Sequence, residues 1–233
     1  MSESPADVVT LHRFSDCEAA LRNGDLKQAL YDAGKVVMED VLLTVHGPEH
    51  LKRRGVEARV FRRNFFNHYE KVVFPSTLEQ TLTPYLAAGR GDLVEFGYRA
   101  TVNLTADFAG IDRPERSAEE SERLIRLVKK LSEGATMVHS TRDPVELEAE
   151  VRDALAEFDR SFLQPSVDRR TRLLEAVAGG SLDAQELPRD VLTVILQARD
   201  ELTLDGSLLL REIAFYMQAG AHSTANSVIH AFH

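Results

Sequence analysis

The sequence is short of cysteine, of basic runs and of long apolar stretches, and each shortage excludes something. Cys17 is the one cysteine among 233 residues, so an intramolecular disulfide and a cysteine-rich metal cluster are both ruled out. No uninterrupted apolar run approaches the ~20 residues of a membrane-crossing helix. The opening residues MSESPADVV carry neither the basic segment nor the apolar core of a secretory signal. The expected location is therefore the cytoplasm, with no membrane span. Lys and Arg total 28 against 37 Asp and Glu, a formal charge of −9 without any basic block. That balance argues against nucleic acid or an anionic membrane surface as the main partner and suits an acidic enzyme or interaction domain. There is no internal repeat and no low-complexity tract. The length suffices to bury a sizeable core, and the expected organisation is one mostly helical domain over residues 1–233 with little strand.

What is present is concentrated in two stretches. The first, Leu208 to His233 (LLLREIAFYMQAGAHSTANSVIHAFH), is expected to be a single long helix of roughly 39 Å at ~1.5 Å per residue. Apolar residues line most of its circumference, as in a helix buried inside a larger helical body. Its centre is small and polar: Ala219, Gly220, Ala221, His222, Ser223, Thr224. Small residues let another body approach the backbone, and adjacent hydroxyls can bond carbonyls one turn back and open the helix locally. The second stretch is HGPEHLKRRGVEARVF. Gly47 and Pro48 open a helix there, Pro standing where a missing N–H costs nothing. His50 and Arg54, four apart, share a face. An imidazole and a guanidinium at this spacing can clamp a carboxylate, although such a pair alone is more often a solvated basic face.

The two stretches together resemble the cytochrome P450 enzymes. The hexapeptide is similar to the family's distal-helix pattern Ala-Gly-x-acid-Thr-Thr/Ser: Ala219 and Gly220 match, Ser223 and Thr224 stand at the hydroxyl positions, and His222 replaces the acid. Gly-Pro-Glu-His-x-x-x-Arg, followed by Phe61, resembles the family segment in which the His and Arg hold a haem propionate. The surrounding Gly, Pro, Glu and Phe, with the distal helix downstream in the right order, favour the clamp over the solvated face. LHRFSDCEAALRNGD resembles the family's strand and first helix, GRGDLVEFGYRATVNLTADFAGI its Asp-Leu-Val helix, and LPRDVLTVILQARDE the helix before the long one.

In chain order the expectations are an edge strand from Val8 to Leu11, a helix over about Ser15 to Arg22, and, from Leu26 to Thr44, a stretch that the resemblance implies is the variable loop over the substrate and that is otherwise a loop packed on the core. Helices follow over Phe65 to Leu86, with Val72, Val73, Leu78, Leu82 and Leu86 as core residues, and from Asp92 to Ala109. Then come amphipathic helices over about Ala118 to Glu133, Pro144 to Phe162 and Val167 to Ala178. Met137 and Val138, between the first two of these, are the expected channel-facing residues. A last helix precedes the long one, at Pro188 to Glu201.

The resemblance covers about the first half of the family's usual sequence. The downstream Phe-x-x-Gly-x-x-x-Cys-x-Gly loop does not follow the long helix, and the Glu-x-x-Arg pairs present (Glu120/Arg123, Glu157/Arg160, Glu186/Arg189) all precede it. Cys17 lacks that context and is not the thiolate ligand. With Val228, Ile229 and Phe232 still apolar at the end, the chain is expected to be a fragment of a longer enzyme.

For the complete protein the resemblance implies a monooxygenase. Haem b and a ferredoxin or ferredoxin reductase-type electron donor would act on a small apolar substrate. Its implied roles give His50, Arg54, Ala219 and Gly220 to the haem and Ser223, Thr224 and His222 to catalysis, His222 as a proton relay, an outward-facing group or an iron ligand. Two alternatives remain: a haem-free, inactive helical remnant or interaction module, and a metal site at His46/His50 or His230/His233.

Overall fold

A computed structural model describes residues 9–202 and 204–232. Val8, from the expected edge strand, and His233 lie outside the described residues. Eleven α-helices run through them: α1 Phe14–Arg22, α2 Lys35–Met38, α3 Gly47–Glu57, α4 Arg63–His68, α5 Phe74–Ala88, α6 Leu93–Ala109, α7 Ala118–Ala135, α8 Pro144–Phe158, α9 Gln164–Ala178, α10 Val191–Gln197 and α11 Gly206–Ala231. No strand occurs among the described residues, and residues 9–12 are irregular. None of the helices is long and apolar enough to cross a membrane.

The main boundaries follow from capping. Asp92 accepts the Glu95 amide to start α6, Ser117 the Glu120 amide to start α7, and Asp205 the Leu208 amide to start α11. Gly110 ends α6 at φ 90°, and a Cβ there would lie 2.5 Å from Asp190 Oδ1, so conformation and space both demand glycine.

Two joints use one device. The π-turn Tyr69–Val73 links α4 to α5, and the π-turn Asp159–Leu163 links α8 to α9. Each is followed by a proline, Pro75 and Pro165, at the second position of the next helix. A proline ring clashes with the carbonyl one turn back and offers no N–H. Widening that turn, with Phe74 N–H bonding to Tyr69 O and Gln164 N–H to Asp159 O, relieves the clash without breaking the rod. The two helices expected at Pro144 to Phe162 and Val167 to Ala178 are consequently one continuous rod.

The core lies between α6, α7, α8 and α11, with α2 packed on α7 and α8. Val102 and Ala106 of α6, Leu124, Val128 and Leu131 of α7, and Val151 and Phe158 of α8 are all buried. From α11 the buried stripe is Ile213, Met217, Ala221 and Ala225, spaced by four. One stripe of the long helix is thus buried rather than most of its circumference. The region from Leu26 to Thr44 is a loop holding a 3-10 turn, Asp32–Gly34, and α2, and it puts Val37, Met38 and Val41 into the core.

The α5 expectation reverses. Val72, Leu78, Leu82 and Leu86 are exposed, while Thr77 and Thr81 are buried. The cause is a polar seam with α6: Thr77 donates to Asp107 Oδ2 at 2.5 Å, Asn103 Nδ2 donates to Thr81 Oγ1 at 3.1 Å, and Thr81 donates to the Thr77 carbonyl at 2.7 Å. Buried hydroxyls that find partners carry little desolvation cost.

Candidate functional site

A cleft of about 590 Å3 opens between α3, α6 and α11, within the size range of small-molecule sites. Its first wall comes from α3. His46 precedes that helix, Gly47 adopts φ 68° and Pro48 occupies the first turn, so His50 and Arg54 are carried on one face into the cleft. The Arg54 guanidinium lies 5.9 Å from the centre of the Phe61 ring. Phe61 meets Phe108 of α6 at 5.7 Å, and Phe108 meets Tyr216 of α11 at 6.3 Å. These rings form a continuous apolar floor.

The opposite wall is the middle of α11. Ala219, Gly220 and Thr224 line it. Gly220 lets α6 approach: a Cβ there would stand 2.7 Å from Thr105 Cγ2 and 2.9 Å from Thr105 Oγ1. The structure thus brings His50, Arg54, Ala219, Gly220 and Thr224 to one cleft.

His222 and Ser223 are not among its lining residues. His222 turns toward α6 and α7, where its Nδ1 is 3.2 Å from the Tyr98 hydroxyl, and Lys129 Nζ sits 4.5 Å over the Tyr98 ring. Ser223 is exposed and donates back to the Ala219 carbonyl at 3.3 Å. Of the Ser223/Thr224 pair, Thr224 lines the cleft and Ser223 does not. Met137 and Val138 do not reach the cleft either: Val138 is exposed and Met137 packs on the core. His46 and His50 gather no further ligands, since no group of three or more His, Cys, Asp or Glu that could hold a metal occurs among the described residues.

Behind the floor lies a cluster that the sequence reading missed. Arg53, Glu57 and Glu212 are fully buried, and the Tyr216 hydroxyl donates to Glu57 Oε2 at 2.7 Å. Arg53 pairs with Glu212 and donates to the Asp40 carbonyl. Burial pushes Glu212 up to about 8, and the adjacent Glu57 charge adds to the rise. Burial also raises Glu57, against the lowering effects of Tyr216 and Arg53. The available signal was Glu212 standing one position before the apolar stripe of α11, and Arg53 and Glu57 at i,i+4.

The residues present fit haem, the group implied by the resemblance, along one face and one edge. An aromatic floor, a small-residue wall and an imidazole–guanidinium pair that needs an acid suit a flat apolar ring bearing carboxylates. The described cleft residues bring no thiolate, because Cys17 belongs to α1, where its Sγ lies 4.0 Å from the Leu11 carbonyl.

No family model matches the chain. Over 115 residues it is 30% identical to pulcherriminic acid synthase of Bacillus subtilis (strain 168), a match spanning 48% of this chain and 28% of that protein. Solved structures are similar over 91% of the chain. They include CalO2 (TM-score 0.63, 19% identity, 50% of that chain covered) and P450BioI in complex with an acyl carrier protein ligated to hexadec-9Z-enoic acid (TM-score 0.64, 16%, 51%). Cytochrome P450EX alpha with myristic acid matches with TM-score 0.58, 13% identity and 47% of that chain covered. The chain spans about half the length of these structures, and over that span it has the helical fold of the cytochrome P450 enzymes.

Proposed function

We propose that this chain provides the distal wall and one propionate clamp of a haem-thiolate monooxygenase that inserts one oxygen atom of O2 into an apolar organic substrate. The observation that carries the reading is the convergence of His50, Arg54, Ala219, Gly220 and Thr224 on one cleft. Arg54, with its planar fork of donors, and His50 receive a propionate. Ala219 and Gly220 keep side-chain bulk off the surface of α11. Thr224 offers a hydroxyl to the cleft, while His222, bonded to Tyr98 of α6, lies on another side of α11 and takes no part in the cleft. When bound, haem b supplies oxygen activation, drawing two electrons from a ferredoxin-type donor. The fatty acyl ligands of two structural neighbours support an apolar substrate.

The test is a haemin titration of the chain followed by absorbance. His50→Ala/Arg54→Gln is expected to weaken uptake by roughly ten- to a hundredfold, the worth of one to two charge-assisted hydrogen bonds. Arg54 is exposed, so the fold persists, and circular dichroism checks it. Equal affinity in wild type and double variant would refute the clamp. Absence of any saturable binding favours the haem-free helical module instead.

A further inference from the structure

The cluster behind the floor has one cation for two acids. Glu57 and Glu212 are 0% exposed and Arg53 1%. Arg53 pairs with Glu212, while its Nε lies 4.0 Å from Glu57 Oε1. The Leu42 amide donates to Glu212 Oε2 at 2.9 Å and Oε1 at 3.3 Å. Among the described residues Glu57 Oε1 has no hydrogen-bond partner. Two ionised carboxylates against one guanidinium in a dry interior would leave a negative charge without compensation, which costs several kcal/mol. A proton placed between them removes that charge and supplies a donor.

We propose that Glu57 and Glu212 hold one proton between them, and that this proton fixes the wall of the cleft. Both ends of the cluster reach that wall. Glu57 accepts from Tyr216, and Glu212 accepts from the amide of Leu42; Tyr216 and Leu42 both line the cleft. Arg53 also donates to the carbonyl of Asp40, which sits in the left-handed region at φ 59°. The loop over residues 39–43, α3 and α11 are thus joined through one protonation site. The inference deepens the reading of the cleft, and rests on it only for what the wall serves.

The groups that bear on the pair are Arg53 and Arg54 from α3, Tyr216 from α11 and the Leu42 amide. Of the other elements packed on α3 and α11, α10 carries no titratable side chain, the turn Ala58–Phe61 carries Arg59, paired with Glu201, α2 carries the exposed Lys35, and α6 and α7 carry charges with partners of their own, Asp107 with Arg113, Arg99 with Glu95 and Glu122, and Lys130 with Glu133. Burial is the larger cause of the raised Glu212 and the Glu57 charge the second, so the proton is held at pH 7 and leaves as the pH passes about 8. It goes to solvent, and no other covalent bond changes. The two carboxylates then repel, and the Leu42 amide and Tyr216 lose a fixed partner.

The proton can be seen directly. Infrared spectra of the chain at pH 7 should contain the C=O stretch of a protonated, buried carboxylic acid that vanishes above pH 8. The band should be absent from Glu212→Gln and from Glu57→Gln, each of which leaves one acid facing Arg53. Hydrogen exchange at Leu42, corrected for its intrinsic pH dependence, should lose protection about tenfold between pH 7 and pH 9, the effect of one proton titrating near pH 8. Glu212→Gln, which mimics the protonated acid, should show no such loss. Absence of the band in wild type at pH 7, its survival in both variants, or equal pH dependence of exchange in wild type and Glu212→Gln would each overturn the proposal. These readouts use no haem, so failure of haemin to bind overturns the cleft reading and leaves the shared proton to be judged on its own signals.

Discussion

Arg53 with Glu57 and Glu212, and Arg170 with Asp112 and Asp190, both set one buried guanidinium against two carboxylates. In the second cluster Arg170 bonds Asp190 at 2.7 Å and Asp112 at 3.1 Å. Asp190 spends its other capacity on the Thr193 amide at 2.7 Å, capping α10. Asp112 remains 27% exposed and meets a second cation, Arg169, at 3.0 Å. Burial alone would lower the Arg170 pKa, but Asp190 and then Asp112 outweigh it and hold the guanidinium above its ordinary value. In the first cluster neither acid reaches water and neither gains another ion pair, and there the acids shift instead, upward. The same stoichiometry therefore gives a fixed ion cluster in one place and a proton-binding site in the other. What separates them is the second acid's access to water and to a second base.

Deleting the shared cation should separate the two clusters most strongly. Arg53→Met and Arg170→Met should each cost about 3–5 kcal/mol at pH 7, the usual penalty for stripping a buried ion cluster of one sign. Their pH dependence should differ. Glu57 and Glu212 can both take up protons, so the cost of Arg53→Met should shrink as the pH falls from 8 to 5. The acids around Arg170 keep the Thr193 amide and Arg169 as partners, so the cost of Arg170→Met should change less over the same range. Urea denaturation of both variants at pH 5, 7 and 9 measures this. Parallel curves would show that the two clusters do not differ in kind.

This distinction was out of reach from sequence, whereas much of the frame was not. The ends of α6 and the start of α7 were legible because caps and stops are local, Asp92 and Gly110 bracketing α6, whereas α11 starts two residues before the expected Leu208, just after the cap Asp205. The His50 and Arg54 face was legible for the same reason, since four residues of helix fix it. The face of α5 that would be buried was not. Periodicity marks Leu78, Leu82 and Leu86 as one face, but the choice of the Thr77/Thr81 face was made by Asp107 and Asn103 on another helix. Likewise Glu212 sits beside the apolar stripe of α11, and the base that explains it is 159 residues away. Which residue of the Ser223/Thr224 pair meets the cleft depended on the face of α11 turned toward it, which packing against other helices decides.

A second effect should be visible in the wild-type chain. A carboxyl whose folded-state pKa is raised makes the native state bind more protons than the unfolded state, so its contribution to stability is fully present below the unfolded value and lost as pH rises through the folded one. For Glu212 the window runs from its ordinary 4.5 to about 8. Stability should therefore fall across this window by at most about 1.4 kcal/mol per pH unit. Glu212→Gln should flatten the fall, and an unchanged profile in that variant would assign the pH dependence to other groups.

The smallest effect is expected at the acid that keeps its access to water. Asp112→Asn removes a charge that Arg169 and Arg170 share, but Asp190 still compensates Arg170, and the oxygen of the substituted amide can still accept a hydrogen bond from it. Partly exposed ion pairs are worth about 1 kcal/mol or less, so the variant should lose no more than that in urea denaturation, with no change between pH 6 and pH 9. A loss as large as that of Arg170→Met would mean that Asp112 is as dependent on its partner as Glu212. The difference between the clusters would then lie in the chemistry of their side chains rather than in their contact with water.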